Sequence, residues 1–167
     1  MKTIIYTEEH LNYLAASYTY SVDGTVYNKH GRPVGCYARK YGRLNTKIGK
    51  INIARLLWFF DNGVWPVGEI DHIDGDTHNN KLSNLRVCSR SENAKNKKRY
   101  YNNTTGYKGV TRESYRGEVR SYRASIQNEG VRIHLGMFDT AVDAAQAYNT
   151  AAKRLHGEFA RLNTIER

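Results

Sequence analysis

Cysteine is scarce: Cys36 and Cys88 are the only two in 167 residues, and no Cys-x-x-Cys pair occurs. That excludes a disulfide framework and gives no support to a structural zinc site, so both are expected as free, buried thiols. Long apolar runs are missing too. No segment approaches the ~18 consecutive apolar residues of a membrane span, and the start Met1-Lys2-Thr3-Ile4-Ile5-Tyr6-Thr7-Glu8-Glu9 lacks the apolar stretch of a secretory signal. The chain is therefore expected inside the cell, unsecreted and away from the membrane. Acidic residues are the third shortage. Against 26 Lys and Arg stand 16 Asp and Glu, a formal net charge of +10 with a pI near 9.6. A chain this basic points to a polyanionic partner, nucleic acid first and an anionic membrane second. Residues 1–94 hold 12 basic and 9 acidic side chains, whereas residues 95–167 hold 14 and 7. Most of the attraction for a polyanion thus belongs to the C-terminal half.

What the chain does have is a stretch dense in proton-moving and metal-binding groups, from Glu69 to Asn93. Asp71-His72 closes a short apolar-flanked strand, Gly75-Asp76 makes a turn, a polar loop follows, and Leu85-Arg86-Val87 reads as the return strand. A helix should come next, because Ser89 and Glu92 stand at capping-box spacing. Such a strand, loop, strand and helix lets Asp71, His72 and Asn93 converge. Hydrolysis of a phosphodiester needs a base to deprotonate water and a hard cation to neutralise charge on phosphorus and the leaving oxygen. Histidine is the side-chain type suited to the first task, which makes His72 the candidate base. Asp71 and Asn93 offer the hard oxygen ligands that hold magnesium through one or two protein contacts.

Asp71-His72-Ile73-Asp74-Gly75, then Asn79-Asn80, Asn84-Leu85-Arg86 and Glu92-Asn93 resemble the HNH nuclease motif in the form found in phage homing endonucleases. The likeness extends upstream through Ile53-Ala54-Arg55-Leu56-Leu57-Trp58 and Asn62-Gly63-Val64-Trp65-Pro66. The resemblance implies His72 as general base, Asp71 and Asn93 as ligands of one divalent cation, Mg2+ or else Mn2+, and Asn84 as the catalytic-loop brace. Asn93 stands where many HNH enzymes carry His, and Ala54 where relatives often have His.

Elsewhere the pattern is simpler. Tyr18 to Tyr27 flank Asp23-Gly24, the signature of a two-residue hairpin turn, and a second hairpin is expected across Arg43–Ile53, turning near Ile48-Gly49-Lys50. Lys29, Arg32, Arg39, Lys40, Arg43, Lys47 and Lys50 could track a phosphate backbone or simply form a solvated face. Ile53 to Phe60 reads as a helix with Ile53, Leu56, Leu57 and Phe60 on one face, ended by Gly63. Trp58 and Phe59 are expected in the core. Lys95, Lys97, Lys98 and Arg99, expected to bind DNA by holding its phosphates, open a basic linker that runs to Thr105.

From Gly106 onward three strands are expected, 107–112, 121–127 and 131–136, with Asn128-Glu129-Gly130 as a turn. Alternation puts Ala124, Ile126, Val131, Ile133 and Leu135 on one face, to be covered by a helix over 141–156 that Thr140 and Asp143 cap and Gly157 ends. Tyr107-Lys108-Gly109-Val110-Thr111, Leu135-Gly136-Met137-Phe138, Ala144-Ala145, Ala147-Tyr148-Asn149, Leu155-His156-Gly157 and Leu162-Asn163 are similar to the APETALA-type DNA-binding domain of plant ethylene-response factors. The resemblance implies an exposed sheet face in the major groove, with Lys108, Thr111, Arg112, Arg123, Gln127, Arg132 and His134 facing the DNA. Gln127, Thr111 and His134 replace contacts of that family, so its target sequence does not carry over.

The whole chain reads as an α+β protein: β-hairpins and a helix, a ββα-metal motif over about 69–97, then a three-stranded antiparallel sheet on one helix. Its expected divisions are an HNH nuclease domain (1–94), a basic linker (95–105) and an APETALA-type domain (106–167). The expected function is metal-dependent cleavage of double-stranded DNA, in the host cytoplasm if the gene is a phage's, with no small-molecule cofactor. A non-catalytic DNA-binding regulator is the alternative. Oligomeric state and target sequence are left open.

Overall fold

The computed structural model describes residues 6–36, 41–99 and 101–165, so Arg39 and Lys40 of the first basic cluster lie outside the described residues. The chain is α+β and divides into two compact units, Met1–Ser89 and Arg90–Arg167.

The first unit opens with α1 (Glu8–Ser17), for which the sequence offers little signal, since Leu14 is its one buried residue. Its start is a capping box in which Thr7 Oγ1 accepts from the His10 N–H and His10 Nδ1 accepts from the Thr7 N–H, both at 3.3 Å. Strands β1 (Tyr18–Tyr20), β2 (Val26–Asn28) and β3 (Pro33–Val34) form an antiparallel sheet in that order. The β1–β2 connection is longer than the expected two residues. Tyr20 pairs with Val26, the Gly24 N–H donates to Ser21 O at 3.0 Å, and Asp23 Oδ1 accepts from the Thr25 N–H at 3.0 Å. The Asp23 carboxylate and Gly24 at φ +86° therefore set a wider turn. The second hairpin, β4 (Arg43–Thr46) with β5 (Gly49–Asn52), turns at Lys47-Ile48, one residue earlier than expected, because Gly49 takes φ +115° and pairs with Thr46.

Helix α2 (Ile53–Asn62) is the centre of this unit. Asn52 Oδ1 caps its first turn by accepting from the Arg55 N–H at 3.1 Å, and Gly63 in the left-handed region closes it. Ile53, Ala54, Leu56, Leu57 and Phe59 are buried with Leu14, Val26, Leu44, Ile51 and Leu85, while Trp58 and Phe60 pack on the margin. Phe59, not Phe60, is thus the deeper aromatic. Arg55 donates to Gly68 O at 2.7 Å and to Pro66 O and lies over the Trp65 ring, which fixes the connection into β6 (Glu69–His72). Strand β7 (Leu85–Cys88) pairs antiparallel with β6. Cys88 is buried, but Cys36 is exposed, so the expectation of two buried thiols holds for Cys88 alone; Cys36 sits at an isolated bridge to Arg43 outside the core.

The second unit begins with α3 (Arg90–Asn96) and continues through β8 (Val110–Tyr115), β9 (Glu118–Asn128) and β10 (Val131–Phe138), an antiparallel sheet of order β10-β9-β8. The strands outrun the expected ones: Arg116 at φ 50° and Gly117 at φ 85° make a tight turn that joins Tyr115 to Glu118, so pairing extends through a polar stretch. Glu129 and Gly130 make the same kind of turn, at the expected place. Helix α4 (Ala141–His156) packs on the sheet through Ala144, Ala145, Tyr148, Ala151 and Ala152. Thr140 Oγ1 accepts from the Asp143 N–H at 3.1 Å, which is the expected cap. The approach is close: a Cβ on Gly109 would lie 2.1 Å from the Tyr148 ring. Asn163 then closes the unit, accepting from the Lys108 N–H at 2.6 Å and donating to Lys108 O at 3.0 Å.

Candidate active site and nucleic-acid interface

In the register of β6 and β7, Asp71 stands opposite Arg86 and His72 opposite Leu85. Arg86 sends Nε (3.0 Å) and Nη2 (2.8 Å) to Asp71 Oδ2. With the two side chains only 7% and 12% exposed, this is a buried ion pair. His72 is buried as well, and its Nε2 lies 3.1 Å from Asn80 Oδ1.

The loop between the strands is built around Asn84. Its Nδ2 donates to Asp74 Oδ1 (2.9 Å) and Asn79 O (2.8 Å), and its Oδ1 accepts from the Asp74 N–H (3.0 Å). Asp74 also accepts from the Asp76 N–H at 2.8 Å and from Asn79 Nδ2 at 2.7 Å. Burial raises the Asp74 pKa, but these hydrogen bonds outweigh it and hold the carboxyl below its usual range. The loop is consequently fixed by side chains rather than by a backbone ladder.

Asp71, His72 and Asn84 thus share one strand–loop–strand element of the first unit, whereas Asn93 stands on α3, in the second. Among the described residues no three His, Cys, Asp or Glu side chains gather as a metal cage. By type, the Asp71 carboxylate and the Asn93 amide oxygen are each the hard donor that suits a cation which keeps most of its water and takes phosphate as a further ligand. Arg86 and Asn80 are the partners that sequence reasoning assigned no role. For Arg86 the signal was there: pairing His72 with Leu85 sets Asp71 against the next residue.

In the second unit, α3, the segment after it and the sheet enclose a half-open groove of about 840 Å3. Every DNA-facing residue expected from the sequence lines it except His134, which pairs with Ser125 on the exposed face. Thr111, Arg123, Gln127 and Arg132 share that face by register, while Arg112 pairs with Tyr122, one step out of phase. Arg123 Nη2 lies 3.0 Å from Glu113 Oε1. Lys108 Nζ donates to Lys95 O at 2.6 Å, and its pKa is lowered to about 8, by burial first and then by the charge of Arg161. Lys97, Lys98 and Arg99 remain exposed. Beyond them Asn103 organises the approach to the sheet, its Oδ1 accepting from the Thr105 and Gly106 N–H groups and its Nδ2 donating to Tyr107 O.

A buried Asp-His pair beside a side-chain-locked loop thus stands in one chain with a cationic sheet-and-helix unit. Residues 53–95 match the HNH endonuclease family. Protein 3.8 of Escherichia phage T7 is 38% identical over 106 residues, 63% of this chain and 84% of its own length. An HNH endonuclease of Acanthamoeba polyphaga mimivirus is 37% identical over 121 residues, 71% of this chain and 60% of that protein. Dehydration-responsive element-binding protein 2D of Arabidopsis thaliana is 36% identical over 88 residues, 53% of this chain and 42% of its own length. No solved structure matches. The chain belongs to the HNH endonuclease family and carries a C-terminal part of the APETALA/ethylene-response-factor type. DNA is its partner.

Proposed function

We propose that this protein is a metal-dependent endonuclease that recognises a sequence in double-stranded DNA and hydrolyses its phosphodiester bonds, acting in the cytoplasm of an infected cell. The observation that carries the reading is the adjacency of Asp71 and His72, both buried at the end of β6 and backed by the Asn84-braced loop. His72 takes the proton of the attacking water. Asp71 and Asn93 are the residues that would hold the divalent cation, Mg2+ or Mn2+; when bound, such an ion supplies neutralisation of charge on the phosphate and the leaving oxygen. Asn84 keeps the loop in register with β7. Supercoiled plasmid incubated with protein and Mg2+ should yield nicked or linear product. Tight DNA binding with no cleavage in either Mg2+ or Mn2+ would instead favour a non-catalytic regulator.

Within the groove we assign two kinds of residue. Lys97, Lys98 and Arg99 are exposed cations on a segment without regular structure, suited to holding phosphates. Arg123 and Arg132 project from paired strands, and Arg123 is further oriented by Glu113, suited to reading base edges. Replacing a holder by Ala should weaken binding to cognate and scrambled duplexes alike and lower the salt slope by about one, whereas replacing a reader should cost roughly 1 to 3 kcal/mol on the cognate duplex only. Binding isotherms over a salt series separate the two. Equal losses on both duplexes for Arg132→Ala would remove it from the readers.

A further inference from the structure

We infer that Asn80 is a positioning residue that selects the tautomer of His72, and that the β1–β2 turn holds Asn80 in place; this rests on the nuclease reading above. His72 and Asn80 are each only 4% exposed, and the 3.1 Å contact between Nε2 and Oδ1 joins them inside the first unit. Which atom of the amide faces the ring is fixed by its other end. Asn80 Nδ2 points at His78 O, 3.4 Å away, so a flipped amide would set oxygen against carbonyl oxygen. Oδ1 has no hydrogen to give. The hydrogen of the neutral ring therefore sits on Nε2, and the lone pair that accepts a proton sits on Nδ1.

The backbone of Asn80 is restrained from outside the loop. Gly24, buried at the β1–β2 turn with φ +86°, lies so near that a Cβ there would be 2.4 Å from Asn80 C and O and 2.8 Å from Asn80 Cβ. Only glycine meets both conditions, the positive φ and the absent side chain. The hairpin, more than 40 residues before the motif, thereby sets where the Asn80 amide can stand. A base offered in the wrong tautomer presents N–H to the water it should deprotonate, and catalysis falls although nothing that touches substrate has changed.

The test uses the full chain with Asn80→Ala, Asn80→Asp and Gly24→Ala. Long-range 1H–15N correlations of the neutral His72 ring report the tautomer; plasmid cleavage reports kcat and KM. The wild type should show the Nε2–H form alone. Asn80→Ala and Gly24→Ala should mix the two forms and lower kcat by about 10- to 100-fold with KM little changed, the usual range for partners that orient a working side chain. Asn80→Asp, which keeps an oxygen acceptor, should restore the Nε2–H form and most of kcat. A single tautomer in Asn80→Ala, or full kcat in that variant, overturns the assignment. Gly24→Ala adds a check if Asn80→Ala folds poorly, since it leaves the amide chemistry intact. Should the wild type cleave no DNA, the nuclease reading fails, and the tautomer populations alone decide the role of Asn80.

Discussion

Replacing His72 by alanine should lower the rate of plasmid cleavage about 10²- to 10⁴-fold, the range for loss of a positioned general base, while DNA affinity stays at the wild-type level. The separation follows from where the groups are. His72 lies buried at the end of β6, in the unit that ends at Ser89, whereas the cations proposed to hold DNA belong to the unit that begins at Arg90. Removing the imidazole withdraws its hydrogen bond to Asn80, worth about 1 kcal/mol, and leaves the cations of the second unit in place. Cleavage and binding are measured on the same preparation, together with a thermal melt. Cleavage at the wild-type rate in a folded His72→Ala protein would end the assignment of the base. Loss of binding together with cleavage would place His72 in DNA recognition instead.

How much of this was legible in the sequence depends on whether the signal was local. Leu85-Arg86-Val87 and the Thr140 cap of α4 each state their structure within a few residues and form as read, and the apolar spacing of Ile53 to Phe60 gives its helix, with Phe59 rather than Phe60 turned into the core. Helix α1 was missed because one buried leucine makes no periodicity and because His10 stands where a capping box ordinarily has Glu or Gln. The outer half of the β8–β9 hairpin was missed for a related reason. Glu113 to Arg120 is mostly polar and does not alternate, so the strands there are fixed by the positive φ angles of Arg116 and Gly117 and by pairing, not by burial.

The site divides in the same way. Asp71, His72 and Asn84 were readable as types in order along the chain, and the role of Asn84 as a brace fits its three hydrogen bonds. The contact of Asn80 with His72 and its backing by Gly24 depend on how a loop without regular structure returns on itself and on a hairpin far upstream. No spacing rule encodes such a meeting. Arg99 and Lys108, both anticipated as DNA-binding cations, carry equal charge along the chain, yet Lys108 is largely withdrawn into a bond with Lys95 O while Arg99 stays in solvent. Charge was legible and accessibility was not.

The Asp71–Arg86 pair leads to the other large effect, one on stability as well as activity. A carboxylate that only bound a metal could be removed at little cost to the fold. Asp71 is different: Asp71→Ala strips the guanidinium of Arg86, 12% exposed, of the carboxylate that accepts two of its hydrogen bonds. Loss of one member of a buried pair destabilises by about 3 to 5 kcal/mol, so the variant should unfold at distinctly lower urea and cleave no plasmid. Restoring the shape without the charge separates the two losses. Asp71→Leu combined with Arg86→Met removes both ions, and such apolar replacements of a buried pair are commonly neutral or stabilising by about 1 to 4 kcal/mol. The double variant should therefore regain most of the stability, still bind DNA through the C-terminal groove, and remain unable to cut. Unchanged urea unfolding in Asp71→Ala would mean that the pair contributes nothing to the fold. Cleavage by the double variant would mean that the reaction does not need an oxygen ligand at position 71, and the proposed cation site would then have to be sought elsewhere.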